Sequence, residues 1–562
     1  MTLHTVLGIN RTQDASICLL QSDGKAIALQ KERLTRHKHD WGRCGDLSSF
    51  YMPKLGSLTE SVDTVVECYS SDPELQNRAD YRDELTLCLN HVAEKSRKEI
   101  SHHLAHLYSC IFPSGFAECA VMIIDCAGSY ITSVTEPFAF PPSMPSNTVE
   151  VASYYDCEAD SMHCVAKQTW RMDWQDPQGL GAFYHLLTRR IFPGEGNEGK
   201  VMALASYGDP DALGLPPLAT KHGMVLIPEP WRCLIASGDN YRFIEDDAAA
   251  LKRCANFAAA GQRCFEKALL EVAGWLRKCT GKQNLCFAGG TALNCTANAK
   301  LLREAGFRDV YIPPAPHDGG TAVGCALYGL ALLEGPNACR RFSWTNDYLG
   351  VPESQDDVSS IVRRYGNVEM VKPLNLSFEV AQLLANGLVV GLFQQRAEFG
   401  PRALGNRSIL ADPRNPGIRN WINEQVKGRE LFRPLAPTVL AERAAEYFCV
   451  PCASPFMQYA VAVRPEVESA IRGVVHRDGS ARIQTLEECI NPLFYKIIDE
   501  FARLTGVPMV LNTSLNRKEE PIVETVNEAM ACLTGSGMHA LAIPPYLIKK
   551  RFIATNAQCS NE

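Results

Sequence analysis

The chain has 562 residues, 46% of them apolar and 21% charged, with a formal net charge of −7. That composition describes a soluble globular protein of roughly two to four domains with material for a large core. It argues against a nucleic-acid binder, which usually carries a basic excess, and the longest apolar run, Thr321 to Leu333, is too short to span a bilayer.

Met1 to Asn10 lacks the basic and apolar regions of a signal peptide, and the 22 cysteines are mostly scattered singly. A cytoplasmic location with reduced thiols is therefore expected. Cys449 and Cys452 are spaced C-x-x-C, but no second pair completes a structural zinc site. They read as ordinary buried thiols. Disorder is expected only at the polar end, Asn556 to Glu562.

In chain order, Thr5 to Ile9 reads as a strand ending in a polar turn, Asn10 to Asp14. Ala15 to Leu20 and Ala26 to Gln30 flank Ser22-Asp23-Gly24, a hairpin signal. A helix is expected from Lys98 to Tyr108. Ala120 to Ile124 is an apolar strand ending in Asp125-Cys126-Ala127-Gly128, with Ile131 to Val134 as its expected partner. A strand, an acidic or glycine-rich turn and a hairpin, used twice, suggest two related halves facing one cleft, as in the actin-like folds. Ala248 to Thr280 has helical apolar spacing. Asn284 to Ala288 is a strand running into Gly289-Gly290, with a helix over Thr291 to Ala305. Val310 to Pro313 is a strand running into His317-Asp318-Gly319-Gly320 and a further helix. A boundary is expected between Leu333 and Leu374, where Gly335-Pro336 and the polar cluster Ser354 to Asp357 interrupt the apolar pattern. Gly387 to Phe393 and Pro508 to Leu511 then read as buried strands of a second α/β domain.

Three constellations carry chemistry. In His102-His103-Leu104-Ala105-His106, residues four apart share one helix face, so His102 and His106 can face one metal while His103 points elsewhere. Asp318, in its turn, can complete a two-His, one-carboxylate site of the kind that suits Fe(II) and related divalent ions; alternatively it caps the following helix. The turns at Gly289-Gly290 with Asn294 and at Gly319-Gly320 each follow a strand and open a helix, a placement that favours phosphate. With Asp125 and Gly128 they can surround one nucleotide. Finally, Arg396, Arg402, Arg407, Arg414, Arg419, Lys427, Arg429 and Arg433 face only Glu398, Asp412, Glu424 and Glu430, a local balance of about +4. Tight turns among these arginines favour a phosphate-binding pocket over a solvated helix face.

Several longer motifs accompany these. They are Lys31-Glu32-Arg33-Leu34-Thr35-Arg36-His37-Lys38-His39-Asp40, Glu198-Gly199-Lys200 with Met202 and Leu204, and Ala288 to Asn294. In the second half come Glu398 to Ser408, Val426 to Pro437, Asp478 to Thr485 and Leu511-Asn512-Thr513-Ser514. On these residues, which run in order from about 8 to 523, the chain resembles the O-carbamoyltransferases of nodulation-factor and antibiotic biosynthesis, of the tobramycin, cephamycin, novobiocin and geldanamycin type. The resemblance implies an α/β protein with two domains. Residues 1–350 would be a Kae-like carbamoyl-transfer domain on the actin-like (ASKHA) fold. Residues 351–562 would be a YrdC-like α/β domain that makes carbamoyladenylate from carbamoyl phosphate and Mg-ATP.

It further implies Fe(II) or another divalent metal at His102, His106 and Asp318. Arg402, Lys427, Arg433, Arg482, Asn512 and Ser514 would handle carbamoyl phosphate and ATP. Asp125, Gly128, Lys200, Gly289, Gly290, Asn294 and Gly319 would contact the adenylate in the first domain. Lys38, Asp14, Arg402 and Lys427 would be catalytic. The acceptor would be a small hydroxylated molecule, with no nucleic acid or membrane involved; a homodimer is allowed. The acceptor pocket is expected near Tyr154 to Trp174.

The sequence departs from the family in three places. Gln13 stands where a histidine is usual, which leaves Asp14, His39 or a metal-bound group as base for the acceptor hydroxyl. Cys126 replaces a glycine beside Asp125, and Glu519 replaces one after the Asn-Thr-Ser run. Other expectations on the same residues are a carbamoyltransferase that matures a metallocentre, a tRNA threonylcarbamoylation enzyme, and a non-catalytic ATP-binding or chaperone-like protein. The missing paired C-x-x-C motifs, the acidic charge and the arginine-rich run, respectively, disfavour them.

Overall fold

In a computed structural model, which describes residues 3–70, 78–158, 161–236, 241–245, 247–352, 358–450 and 452–551, the apolar runs of the first half form two five-stranded sheets of one design. The first uses β1 (Thr5–Asn10), β2 (Ser16–Gln21), β3 (Ala26–Gln30), β4 (Thr64–Tyr69) and β5 (Arg97–Ser101), in the order β3-β2-β1-β4-β5. The second uses β6 (Cys119–Ile124), β7 (Val149–Glu158), β8 (Ser161–Trp170), β11 (Asn284–Ala288) and β12 (Asp309–Tyr311), in the order β12-β11-β6-β7-β8. A short ribbon, β9 (Ala219–Lys221) with β10 (Met224–Leu226), lies in the chain between β8 and β11 of the second sheet. In both sheets the first three strands are antiparallel and the last two run parallel to the first. The repeat expected from the two strand-turn-hairpin patterns is therefore present in strand order and in direction.

Two helices lie between the sheets. His102–Ile111 leaves the first sheet and packs on β6 and β11 of the second, while Thr321–Glu334 leaves the second and packs on β1, β2 and β4 of the first. Their backbones approach closely. A Cβ on Gly324 would lie 1.8 Å from the Ala105 carbonyl oxygen, and one on Gly8 would lie 2.1 Å from that of Ala322. Only glycine allows this packing, which brings the ends of both sheets to one place.

The remainder forms an eight-stranded mixed sheet. Its strands are β13 (Val368–Val371), β14 (Val390–Phe393), β15 (Arg407–Ala411), β16 (Ala436–Leu440), β19 (Gln484–Leu486), β20 (Met509–Ser514), β21 (Ala540–Ile543) and β22 (Tyr546–Lys550). The order is β13-β22-β21-β14-β15-β20-β16-β19, and β17 (Ala460–Ala462) with β18 (Ser480–Arg482) makes a separate ribbon. The molecule is thus of the α/β class. Among the described residues no helix is long and apolar enough to cross a membrane.

Four expectations need correction. Arg97–Ser101 is a strand, and the histidine helix begins at His102, because residues 97–101 complete the parallel ladder with β4. Ile131–Ser133 is a 3₁₀ turn; the partner of β6 is β7, since prolines 137, 141, 142 and 145 keep the intervening chain out of a ladder. Thr291 to Ala305 is split into a 3₁₀ turn, Gly290–Leu293, and the helix Cys295–Glu304. Asn294 divides them, its side chain accepting from the Ala297 amide. Cys449 and Cys452 are both exposed, because the segment after Phe448 runs over the surface. The polar cluster Ser354 to Asp357 and the end Asn556 to Glu562 lie outside the described residues.

Candidate active site

The histidine helix sets the first half of the site. All ten of its residues are buried, so its first amides need protein partners. Ser101 at the N-cap supplies none from its side chain. Instead Ser129 Oγ accepts from the His102 amide at 2.8 Å and Glu150 Oε1 from that of His103 at 3.1 Å. Glu150 Oε2 lies 2.6 Å from Lys167 Nζ, which also reaches Glu136 at 2.6 Å. The second sheet thus fixes where the first sheet's helix begins. His103 faces this network through Ser153 Oγ at 2.7 Å, away from the other two histidines as the helical spacing predicts.

His102 and His106 stack edge-on at 4.7 Å. His102 Nε2 is 3.5 Å from Asp318 Oδ1 and 3.7 Å from Asp125 Oδ2, and His106 Nε2 is 3.2 Å from Asp125 Oδ2 and 4.0 Å from Asp318 Oδ1. One ligand atom from each of the four residues lies within 4.8 Å of the others. Both ring nitrogens of both histidines, and Asp125 Oδ2, are buried without a hydrogen-bond partner. Buried polar atoms in such number are otherwise satisfied, so the group has the atoms and the vacancies that a divalent ion fills. Burial opposes charge on Asp125, but the two histidines outweigh it and hold its carboxyl below the usual range. Likewise Asp318 and Asp125 overcome burial and raise His102 well above its ordinary value.

Asp125, an expected nucleotide contact, also stands as a fourth potential metal ligand. Its other oxygen accepts from the Gly290 amide at 2.5 Å. The signal was present as a carboxylate ending an apolar strand, but only the helix crossing brings it to His106. The other expected contacts are mostly engaged. The Asn294 amide is bonded to Gln262 and caps its helix. Gly128 gives room to His103 and Glu150, Gly289 to the end of β6, and Gly319 to Gln30 and His317.

Beside this group, His39 Nδ1 lies 2.8 Å from Asp14 Oδ1, and both residues have left-handed backbones at φ 54 and 50. Asp14 raises His39 to about 9 against its burial. Burial pushes Asp14 up, but His39 outweighs it and the carboxyl is lowered. The residue before His39, Lys38, faces Glu32 on one side and Arg433, Arg429 and Lys200 on the other, and burial with these cations lowers it.

Those cations belong to the second half of the site. Burial and neighbouring arginines bring Arg402 and Arg429 down to about 9. Arg433 is lowered by burial, as is Lys427, which burial, Arg429 and Lys38 hold well below its usual value. Lys427 Nζ reaches Ser514 Oγ and the Asn516 carbonyl, each at 3.1 Å. Arg482 crowds Arg402, Arg429 and Arg433. Lys200 pairs with Glu430 at 2.9 Å. Among the described residues, no carboxylate pairs with Arg402 or Lys427, so their mutual repulsion favours an anion.

The arginine-rich run divides by role. Arg396 donates to the carbonyls of Ala26, Leu349 and Gly350. Arg407 is fully buried, donates to those of Gln394, Gln395 and Asn406, and lies over the Phe393 ring. Arg414 is forked onto Asp412. These three build the fold. Asn512 donates to Ala403 O at 3.2 Å beside Arg402, while its Oδ1 is buried without a partner. Tyr154, Tyr155 and Trp170, expected near an acceptor pocket, fill the core at 1%, 1% and 2% exposure, while Trp174 is exposed.

Sequence comparison agrees with this two-part layout. Residues 57–327 match the carbamoyltransferase N-terminus model and residues 381–550 the carbamoyltransferase C-terminus model. The chain is 32% identical to the nodulation protein NolO of Bradyrhizobium diazoefficiens, over 80% of this chain and 79% of that one. It is 33% identical to the nodulation protein NolNO of Sinorhizobium fredii, over 80% of this chain and 64% of that one. A crystal structure of full-length HypF in the phosphate- and nucleotide-bound form is a distant neighbour, 16% identical over 59% of this chain and 47% of that one, with a TM-score of 0.32. The chain belongs to the carbamoyltransferase family and is a carbamoyl-transferring enzyme.

Proposed function

We propose that the protein is a cytoplasmic ATP-dependent O-carbamoyltransferase working in two steps at two sites. In this reading, residues 1–350 form a Kae-like transfer domain of the actin-like class, which the repeated sheet order supports. Residues 351–562 form a YrdC-like domain that makes carbamoyladenylate. The observation that carries the proposal is the cluster of cations Arg402, Lys427, Arg429 and Arg433, joined by Lys38, in which Glu430 and Glu32 are outnumbered and Arg402 and Lys427 pair with no carboxylate among the described residues.

Carbamate is a poor acyl donor because resonance deactivates its carbonyl. Hydrolysis of carbamoyl phosphate by water gives inorganic phosphate and carbamate, and a carbamate oxygen then attacks the α-phosphorus of ATP and releases pyrophosphate. Arg402, Arg433 and Arg482 match the triphosphate and phosphate charges, and Lys427, held by Ser514, neutralises charge developing in the transfer. Mg²⁺ enters with ATP. At the second site His102, His106, Asp125 and Asp318 would hold Fe(II) or a related divalent ion. When bound, such an ion acts as a Lewis acid toward the carbamoyl or phosphate oxygens. The Asp14–His39 pair takes the proton of the acceptor hydroxyl, which removes the need for a histidine at Gln13. The acceptor is a small hydroxylated molecule.

Incubation with carbamoyl phosphate and Mg-ATP should release pyrophosphate and yield carbamoyladenylate by mass spectrometry. Arg402→Ala should abolish both. His106→Ala should leave adenylate formation intact and block transfer; equal loss of adenylate in both variants would refute the division of labour.

A further inference from the structure

The loop that carries Arg402 is held by backbone hydrogen bonds on both sides of that residue, and part of the hold comes from residues before 350. Within the second half, Glu398 Oε1 accepts from the amides of Leu404 and Asn406 at 2.7 and 2.8 Å. Leu404 O accepts from Gln484 at 3.0 Å. From before residue 350, Tyr348 OH donates to Leu404 O at 2.9 Å and the Asp347 carbonyl accepts from the Phe399 amide at 2.8 Å. Two more bonds meet at Gly400, two residues from Arg402. Its amide donates to Asp347 Oδ2 at 2.6 Å, and its carbonyl accepts from Arg33 Nη2 at 2.8 Å. A Cβ at Gly400 would lie 2.8 Å from both Asp347 Oδ2 and Pro314 O, so glycine is needed for this approach.

Asp347 is placed at a cost to the fold, and Arg33 gives only its Nε to a carboxylate, Glu32 at 3.2 Å. Asp347 is 1% exposed and Arg33 3%. Among the described residues no cation lies within ion-pair distance of Asp347. The groups facing it are the Gly400 amide, Trp344 Nε1 at 3.2 Å, Glu398 and Arg33. Burial and Glu398 outweigh the stabilising neighbours and push its carboxyl up to about 7. Arg33 Nη1 is buried without a partner. An acid with a raised pKa disfavours folding: stability falls as pH rises from the unfolded value, near 4, through about 7. Groups retained at such a disadvantage cluster at functional sites.

We propose that Arg33 and Asp347, both from the first half of the chain, are positioning residues that clamp Gly400 by its two backbone groups and so aim Arg402 at the anion in the second half. Resting on the adenylate-forming function proposed above, the clamp makes the two sites interdependent: the transfer half of the molecule holds an arginine of the adenylating half in place.

The test uses the full chain with carbamoyl phosphate and Mg-ATP, following pyrophosphate release, thermal midpoint and pH profile. Asp347→Asn should slow release at least tenfold at neutral pH, with an unchanged or higher melting midpoint, because the buried charge is gone. The wild-type rate should fall as pH drops through about 7, and the variant should lack that limb. Arg33→Gln should slow release similarly, with partial recovery in Arg33→Lys. Gly400→Ala, which displaces the loop from Asp347, should reproduce the slowing. Wild-type rate and pH profile in Asp347→Asn would overturn the clamp, as would a loss of rate that only tracks a lowered melting midpoint. If the wild type itself releases no pyrophosphate, the adenylate reading fails. The clamp is then judged on pyrophosphate binding by calorimetry, where Asp347→Asn should weaken affinity at least tenfold and unchanged affinity would overturn it.

Discussion

Asp14 and His39 both occupy the left-handed backbone region, uncommon for residues with a Cβ, and their side chains meet at 2.8 Å. Raised to about 9, His39 is protonated at neutral pH. Its contribution to stability is complete below the unfolded value, near 6.5, and is lost as pH rises through about 9. Asp14, lowered, contributes above its unfolded value and loses that contribution as pH falls. If His39 accepts the acceptor's proton, the single-turnover transfer rate should climb with pH toward about 9, and His39→Gln should flatten that climb. A pH-independent wild-type rate would exclude the role. The sequence offered Asp14 and His39 only as separate options for that base, because their separation of 25 positions hides their contact. Glu519 shows the reverse case. Its φ of 59 explains why a glycine suits that position, and the sequence alone had already flagged the departure.

At the scale of elements, the histidine helix depends on a strand pair it does not belong to. Its first amides are capped by Ser129 and Glu150, and Glu150 is held by Lys167, a pair with no exposed side-chain surface. Removing one partner of a buried pair strands the other, typically at about 3–5 kcal/mol. Glu150→Gln should therefore lower the denaturation midpoint and weaken divalent-ion binding together, measured by urea titration and calorimetry. A variant with full stability and weakened binding would assign Glu150 to the metal group itself. The spacing of His102 and His106 was legible because the 3.6-residue repeat is local. Their capping was not, because Glu150 reaches them from the partner sheet.

At the scale of the whole molecule, the halves are joined by polar contacts that neither can satisfy alone. Gln458 Nε2 donates to Pro313 O at 2.8 Å, Asn298 Nδ2 to Gln458 O at 3.1 Å, and Arg36 to the carbonyls of Pro521 and Ile522, each at 2.8 Å. Separation would exchange these bonds for bonds to water, a net loss of about 0.5–1.5 kcal/mol each. The full chain should melt in one calorimetric transition, and residues 1–350 produced alone should melt at a lower temperature. Two separate transitions in the full chain would show that these contacts do not couple the halves.

The sequence by itself determined the α/β alternation, the repeated strand-turn-hairpin pattern, the histidine spacing and the excess of arginine, because each depends on neighbours a few positions apart. Its family motifs pointed to carbamoyl transfer. Tertiary structure decided which arginines remain free. Arg396, Arg407 and Arg414 are bound by backbone or Asp412, whereas Arg402 pairs with no carboxylate among the described residues and sits beside Arg482 and Arg433. It also decided that Asp125 joins His102, His106 and Asp318. The reason is physical: one helix carries both histidines, the end of β6 carries Asp125 and the turn before Thr321 carries Asp318, and the glycine-dependent approach of two crossing helices places them together.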